Sequence, residues 1–304
     1  MSIRRLIKQN SVFDLNNNHA YDNWRNEKLD NYPDKAEQLI VEINNPMQLT
    51  KAEHQAINQR CKKTNMAVYI SNTKDNPDKR IASTLSEQFD LRKLDNNMGA
   101  DDDGITSLQV SHIAGRERYI PYSNKAIHWH TDGYYNKPEQ QIHALCLHCV
   151  RPAREGGENA LLDHEIAYIR LRDENPDFIH ALMSDDAMTI PANVKDGTVI
   201  RPARRGPVFS VFNERLHMRY TERTHNIKWK DDSITQEAVC ALENLLHSAE
   251  PYIYRLTLQS GWGLISNNVL HDRSAFTDDD SSSRLLYRLR YFEGLNLNNL
   301  TTID

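Results

Sequence analysis

Ala126-Ile-His-Trp-His130-Thr-Asp132-Gly-Tyr-Tyr135 holds an imidazole and a carboxylate two positions apart in a strand-like run. Side chains on a strand repeat every second residue, so His130 and Asp132 are expected on one face. One more donor would complete a three-point facial metal site with coordination positions left open. Ser266-Asn-Asn-Val-Leu-His271-Asp-Arg, at the end of another apolar run, supplies that candidate in His271. The triplet alone is a weak signal. A chain of 304 residues with 13 histidines and 42 acidic residues meets His-x-Asp by chance, and a lone histidine reads equally well as a packed or surface residue.

Composition narrows the class of protein. A hydrophobic share of 39% with 26% charged residues is that of a soluble globular chain with material for a sizeable core. The net charge of −5 argues against general attraction to nucleic acid or an anionic membrane. Local basic clusters therefore need local explanations. No run approaches the roughly 18 apolar residues of a membrane span, and the basic amino terminus lacks an apolar core of the signal-peptide kind. Four cysteines are too few and too scattered for a disulfide framework. Cys146 and Cys149 have metal-pair spacing, but they lie in a run that reads as a buried strand, where positions three apart face opposite ways. Core thiols in a reducing cytoplasm are expected.

Residues 1–45 are rich in Asn, Asp and Lys and read as an irregular arm with at most one short helix. Thr50 and Glu53 form a candidate capping box for a helix to Lys63, followed by a strand at 66–71 and a helix at 80–89. The acidic loop 94–104 lacks the full ligand spacing of a calcium loop and reads as solvated. From residue 106 the pattern changes to short strands, at 106–113, 127–131, 142–150, 188–190, 199–201, 207–211, 217–220, 252–258, 262–270 and 284–292. Helices are expected at 164–173, capped by Asp163, at 177–183, and at 234–248 with Ala238, Leu242, Leu245 and Leu246 on its apolar face. The expected class is α+β, mainly β: a jelly-roll (double-stranded β-helix) core with flanking and inserted helices. It is read as a single domain over 1–304, with an N-terminal arm and helices in 1–100 and a core over 101–293 carrying a helical insert at about 164–248. In the last strand, alternation puts Arg284, Leu286, Arg288 and Arg290 on one face, and Leu285, Tyr287, Leu289 and Tyr291 on the other.

His130-Thr-Asp132, the Gly156-Gly157 turn, Asn267-Asn-Val-Leu-His271 and Arg284-Leu-Leu-Tyr-Arg288 together resemble the taurine dioxygenase-like (TauD/TfdA) branch of the iron(II)/2-oxoglutarate oxygenases. Order and wide spacing match over about residues 100–293. The resemblance implies that His130, Asp132 and His271 are the iron(II) ligands and that Arg284 grips the distal carboxylate of 2-oxoglutarate. Arg288 becomes a second cation, for the anionic group of the substrate or of the co-substrate. A planar guanidinium binds a carboxylate in a bidentate fork, fixing orientation as well as charge. Where the family often has Thr after the Gly-Gly-acid turn, this chain has Asn159, whose amide can donate a similar hydrogen bond to 2-oxoglutarate. The segment between His271 and Arg284 is also longer than in taurine dioxygenase.

The implied function is a dioxygenase, with O2 and 2-oxoglutarate as co-substrates, that hydroxylates or otherwise oxidises a small anionic substrate such as an amino acid, sulfonate or carboxylate. Succinate and CO2 are released. The Asp132 carboxylate occupies the position that related halogenases leave open for chloride. Trp129, Tyr134 and Tyr135 are candidates for a substrate wall or for core packing, and Arg219 and Arg223 for added positive charge or a solvated strand end. The alternative is a non-catalytic jelly-roll protein that binds a metal or an anion, and a second rival is a cupin-like dioxygenase without 2-oxoglutarate. The expected partner is a small molecule, with neither nucleic acid nor membrane. Enzymes of this size commonly form symmetric homo-oligomers.

Overall fold

The long apolar runs become the central strands of two sheets. A computed structural model of the chain describes residues 11–96, 101–111, 120–223, 227–278 and 283–297. The larger sheet has six strands in the order Ile40–Glu42, Met66–Ile70, Trp262–Ser266, Ala144–Arg151, Leu285–Tyr291, Thr106–Leu108. The smaller has four, Tyr254–Leu256, Asn159–Leu162, Leu270–Arg273 and Ile127–His130. Pairings in both are antiparallel except for the first two strands of the larger sheet, which run parallel.

Both faces of the larger sheet are buried, which is why its strands read as continuous apolar runs rather than as alternating ones. Leu145, Leu147, Cys149, Leu264 and Leu286 join a core shared with the smaller sheet and with the helices His164–Glu174, Pro176–Leu182 and Ser233–Leu246. On the opposite face Ala144, Cys146, Ile265, Leu285, Tyr287 and Leu289 pack with Ile57, Cys61, Ala82 and Leu85 of the helices Lys51–Thr64 and Arg80–Glu87. The sheet thus separates Cys146 from Cys149, as alternation requires. Burial pushes the Cys146 thiol up to about 11 and that of Cys149 to about 12, which makes both poor thiolates.

Both expected caps form. Thr50 Oγ1 accepts from the Glu53 N–H at 3.3 Å while Glu53 accepts from the Thr50 N–H at 2.7 Å, and Asp163 accepts from the Glu165 N–H at 2.9 Å. Ser233–Leu246 buries Ala238, Leu242 and Leu246, with Leu245 half-buried. The acidic loop is tied down by Lys79, whose Nζ lies 2.9 Å from Asp101 and 2.8 Å from Asp103. Its residues 97–100, and residues 112–113 of the strand expected at 106–113, lie outside the described residues. Short strands at Asn193–Lys195, Arg204–Gly206 and Lys228–Trp229 carry too few residues to show a period, and no expectation covered them. No helix among the described residues is long and apolar enough to cross a membrane.

The amino-terminal stretch holds the one helix allowed for it but is otherwise more ordered than the irregular arm expected. It forms the twelve-residue helix Asn18–Leu29 and supplies the edge strand Ile40–Glu42. Its anchors are aromatic rings, without periodic aliphatics: Phe13 and Trp24 meet Tyr168 edge-on at 5.6 and 6.3 Å. Lys28 is buried there, with Nζ 2.7 Å from Asp163 and 2.5 Å from Glu165. Burial raises the Asp163 carboxyl, but Lys28, His164 and the Glu165 N–H together outweigh it and hold the group below its ordinary range. Its contribution is therefore complete above the unfolded carboxyl range near pH 4 and lost as the pH falls through the lower folded value. Lys28→Ala, which strands both acids, is expected to cost about 3–5 kcal/mol in denaturant unfolding at pH 7. A cost below about 1 kcal/mol would show that water reaches the pair.

Candidate active site

His130 ends its strand and faces His271 across the antiparallel pair, the ring centroids 4.2 Å apart. Each Nδ1 lies 2.9 Å from a carbonyl oxygen two residues back, that of His128 for His130 and that of Val269 for His271. A carbonyl only accepts, so Nδ1 carries the proton and Nε2 keeps its lone pair. Burial first, then the neighbouring His271, push His130 down to about 3. Its imidazole is neutral at pH 7, the form that ligates a metal.

Asp132 lies just beyond the strand, in the turn that begins there, so strand alternation does not place it. Asn268 does. Its Oδ1 accepts from the Asp132 N–H at 2.8 Å, and its Nδ2 donates to the carbonyls of Asp132 and Ile142 at 2.9 and 2.8 Å. Asn268 has φ +52°, a left-handed conformation that asparagine tolerates better than most residues. Arg288 donates to Asp132 Oδ1 at 3.1 Å, and Arg290 stands 3.7 Å from the same oxygen. Asp132 Oδ2 is buried without a partner. Burial would raise this carboxyl; Arg288, Arg290 and the two histidines together outweigh it and hold it well below the carboxylate range. Arg290 also pairs with Asp95 and donates to the Tyr135 hydroxyl at 2.9 Å.

The other predicted residues lie on the same two sheets. Arg284 is buried, with its guanidinium 5.0 Å from the centre of the Phe276 ring. Among the described residues it forms no side-chain hydrogen bond or ion pair; its backbone N–H donates to Asp278 at 3.0 Å. Burial lowers its pKa against weaker opposing effects of Cys149 and Asp278. The Gly-Gly turn allows this close packing. A Cβ at Gly156 (φ +77°) would stand 2.2 Å from the Ala275 carbonyl oxygen, and one at Gly157 (φ +71°) 3.4 Å from Arg284 Nε. Asn159 differs from the simple donor expected. Its Nδ2 donates to the Asp272 carbonyl at 2.9 Å, beside His271, and its Oδ1 is buried without a partner.

Two expected cations have protein partners. Arg288 is placed against Asp132, and Arg219 is committed to the carbonyls of Met188, Gly206 and Pro207 at 2.6, 2.8 and 3.1 Å. Trp129 belongs to the core, whereas Tyr134 and Tyr135 are half-buried and pack edge to face at 5.1 Å. Asn268, Asp95 and the hydroxyl of Tyr135 escaped the sequence reading. Only Arg290 carried a signal, its place on the basic face of the last strand. Among the described residues, no three His, Cys, Asp or Glu side chains converge into a closed metal site as they stand, because the imidazoles face each other while Asp132 turns to its arginines. The donor set still fits a cation: two Nε2 lone pairs and an ionised carboxylate with one buried oxygen unpartnered.

A mixed β-sheet scaffold with facing imidazoles, an adjacent carboxylate and a buried guanidinium that has no carboxylate partner among the described residues has the make-up of a non-heme metal oxygenase. The chain belongs to the TauD/TfdA family: the family model for taurine catabolism dioxygenase matches residues 26–290. It is accordingly an enzyme, an iron(II)- and 2-oxoglutarate-dependent dioxygenase that acts with a small molecule. A uridine-5'-phosphate dioxygenase from a Streptomyces species is 29% identical over 198 residues, 62% of this chain and 69% of the relative. One from an Amycolatopsis species is 31% identical over 181 residues, 56% of this chain and 62% of the relative. Among solved structures, an asparagine oxygenase in complex with Fe(II), 3-hydroxyasparagine and succinate has a TM-score of 0.58 at 14% identity, covering 81% of this chain and 79% of that one. The non-heme iron oxygenase OrfP in complex with iron and α-ketoglutaric acid has 0.58 at 15% identity, covering 83% and 81%.

Proposed function

We propose that His130, Asp132 and His271 hold the iron(II), that Arg284 binds the distal carboxylate of 2-oxoglutarate, and that the enzyme hydroxylates or otherwise oxidises a small anionic substrate, releasing succinate and CO2. The observation that carries this reading is the pair of facing imidazoles, each with Nδ1 committed to a carbonyl, beside an ionised carboxylate with one buried oxygen unpartnered. When bound, iron(II) supplies dioxygen activation. The chain's own residues do the rest. Arg288 and Arg290 keep Asp132 ionised, the state that binds a cation. Arg284 offers a desolvated fork for a carboxylate. Arg288 has a buried Nε without a partner, which suits a second contact to the substrate or co-substrate, and Asn159 retains one amide hydrogen for 2-oxoglutarate.

The same reading takes the core as a double-stranded β-helix and residues 1–304 as a single domain, with buried free thiols suited to a reducing cytoplasm. The named activity of the two relatives puts uridine 5'-phosphate in the first substrate panel, beside amino acids, sulfonates and carboxylates. The deciding experiment is anaerobic addition of iron(II) and 2-oxoglutarate to the purified protein. The weak visible charge-transfer band of the chelate is expected, and substrate-dependent succinate release should follow on admission of oxygen. If no band forms and calorimetry detects no 2-oxoglutarate binding, the assignment of this site fails.

A further inference from the structure

Arg201 and Arg204 flank the short link between the hairpin Asn193–Lys195/Thr198–Arg201 and the strand Arg204–Gly206. They are held against adjacent residues of the neighbouring segment. Arg201 donates to the Pro191 carbonyl at 2.9 Å, and Arg204 pairs in register with Ile190. Neither guanidinium forms an ion pair with a carboxylate among the described residues, and Arg204 Nε is buried without a partner. Neighbouring Arg205, which alternation turns to the other face of its strand, is neutralised by Asp186 at 2.7 Å. Burial, then the like charge of Arg204, lower Arg201, while Tyr134 and Tyr135 oppose them, so these groups lie within electrostatic reach of one another.

Arg201 is continuous with the active site. The Tyr135 ring has Arg201 5.9 Å from its centre and Arg290 at 5.8 Å. Arg290 in turn bonds the Tyr135 hydroxyl and stands 3.7 Å from Asp132. From below, Arg219 braces the strand through the carbonyls of Arg204 and Gly206 at 3.4 and 2.8 Å, fixing the backbone that presents Arg204. Two guanidiniums that repel each other on a chain of net charge −5 are suited to an anion of charge −2. The single carboxylate or sulfonate group of an amino acid or sulfonate needs only one such cation, whereas a phosphate monoester offers oxygens for two forks.

We propose that Arg201 and Arg204 form an anion subsite for a phosphate monoester on the substrate, with Tyr134 and Tyr135 as the aromatic wall between that phosphate and Asp132. The proposal rests on the dioxygenase reading of the site. It is tested by calorimetry on protein loaded anaerobically with iron(II) and 2-oxoglutarate, the visible chelate band being recorded on the same sample. The probes are uridine 5'-phosphate, ribose 5-phosphate, uridine and inorganic phosphate. Wild type is expected to bind at least one of the two phosphate esters about tenfold or more tightly than uridine. Arg201→Gln and Arg204→Gln should each weaken that ester about tenfold, the loss of one charge-assisted contact, and leave uridine as in wild type. Arg205→Gln serves as the control, and thermal melts verify that each variant folds. Equal ester binding in wild type and in both glutamine variants overturns the proposal, as does binding of inorganic phosphate without either ester. A missing chelate band with Arg201-dependent ester binding would instead sink the metal assignment and leave the subsite standing. A normal band without ester preference would sink the subsite alone.

Discussion

His271→Ala is expected to abolish the iron–2-oxoglutarate chelate band and to lower substrate-dependent succinate release by at least about a thousandfold. That exceeds the roughly 10- to 100-fold typical of losing an outer partner of a metal ligand, because the proposed ligand itself is removed. The two rings are cross-strand partners with centroids 4.2 Å apart, so the alanine leaves one imidazole of the facing pair. His271 is buried, but its side chain makes only one hydrogen bond among the described residues, to the Val269 carbonyl. The fold should therefore tolerate the change at a cost of about 1–3 kcal/mol, that of orphaning one buried carbonyl. Asp132→Asn separates the two duties of that residue. It should lose the band as well, but it also strips Arg288 of its carboxylate partner and should destabilise the protein more than His271→Ala does. Retention of the band and of turnover in His271→Ala would remove the residue from the ligand set.

Arg284→Met is expected to weaken 2-oxoglutarate by about 100-fold or more, in the range of truncating one partner of a buried, hydrogen-bonded charge pair, while iron(II) affinity stays near wild type. A second consequence has the opposite sign. Arg284 is buried and unpaired among the described residues, and burial already lowers its pKa. Replacing it with an apolar side chain of similar length should leave the ligand-free protein as stable or more stable. Loss of binding together with unchanged or raised melting temperature is the signature of a charge kept for a ligand. Pyruvate, which lacks the distal carboxylate, provides the control: the variant should no longer discriminate between it and 2-oxoglutarate. A variant that melts earlier and binds 2-oxoglutarate as wild type does would make Arg284 a structural residue.

Several elements were readable because local rules decide them. The capping box at Thr50 and Glu53 and the cap at Asp163 need only neighbours in sequence, and both formed. Alternation assigned the faces of Leu285–Tyr291 correctly, since a strand has period two wherever it lies. The amino-terminal stretch was misread because its anchors are rings and one buried lysine whose partners are 135 residues and more downstream. Asn159 was identified as a hydrogen-bonding residue, but the carbonyl that takes its amide belongs to Asp272, on another strand.

By itself the sequence determined the chemical types available, namely two histidines, a carboxylate and a basic face on the last strand, together with the periods that turn apolar runs into strands. These depend on backbone geometry over a few residues. Only the tertiary structure decided that His271 stands opposite His130, that Asn268 rather than strand alternation holds Asp132, that Arg288 serves the carboxylate while Arg219 braces a loop, and that Arg201 and Arg290 meet on one tyrosine ring. Each of these is a pairing between segments far apart in the chain. Its outcome is set by strand register and by which buried charges find partners, quantities that exist only once the sheets have closed.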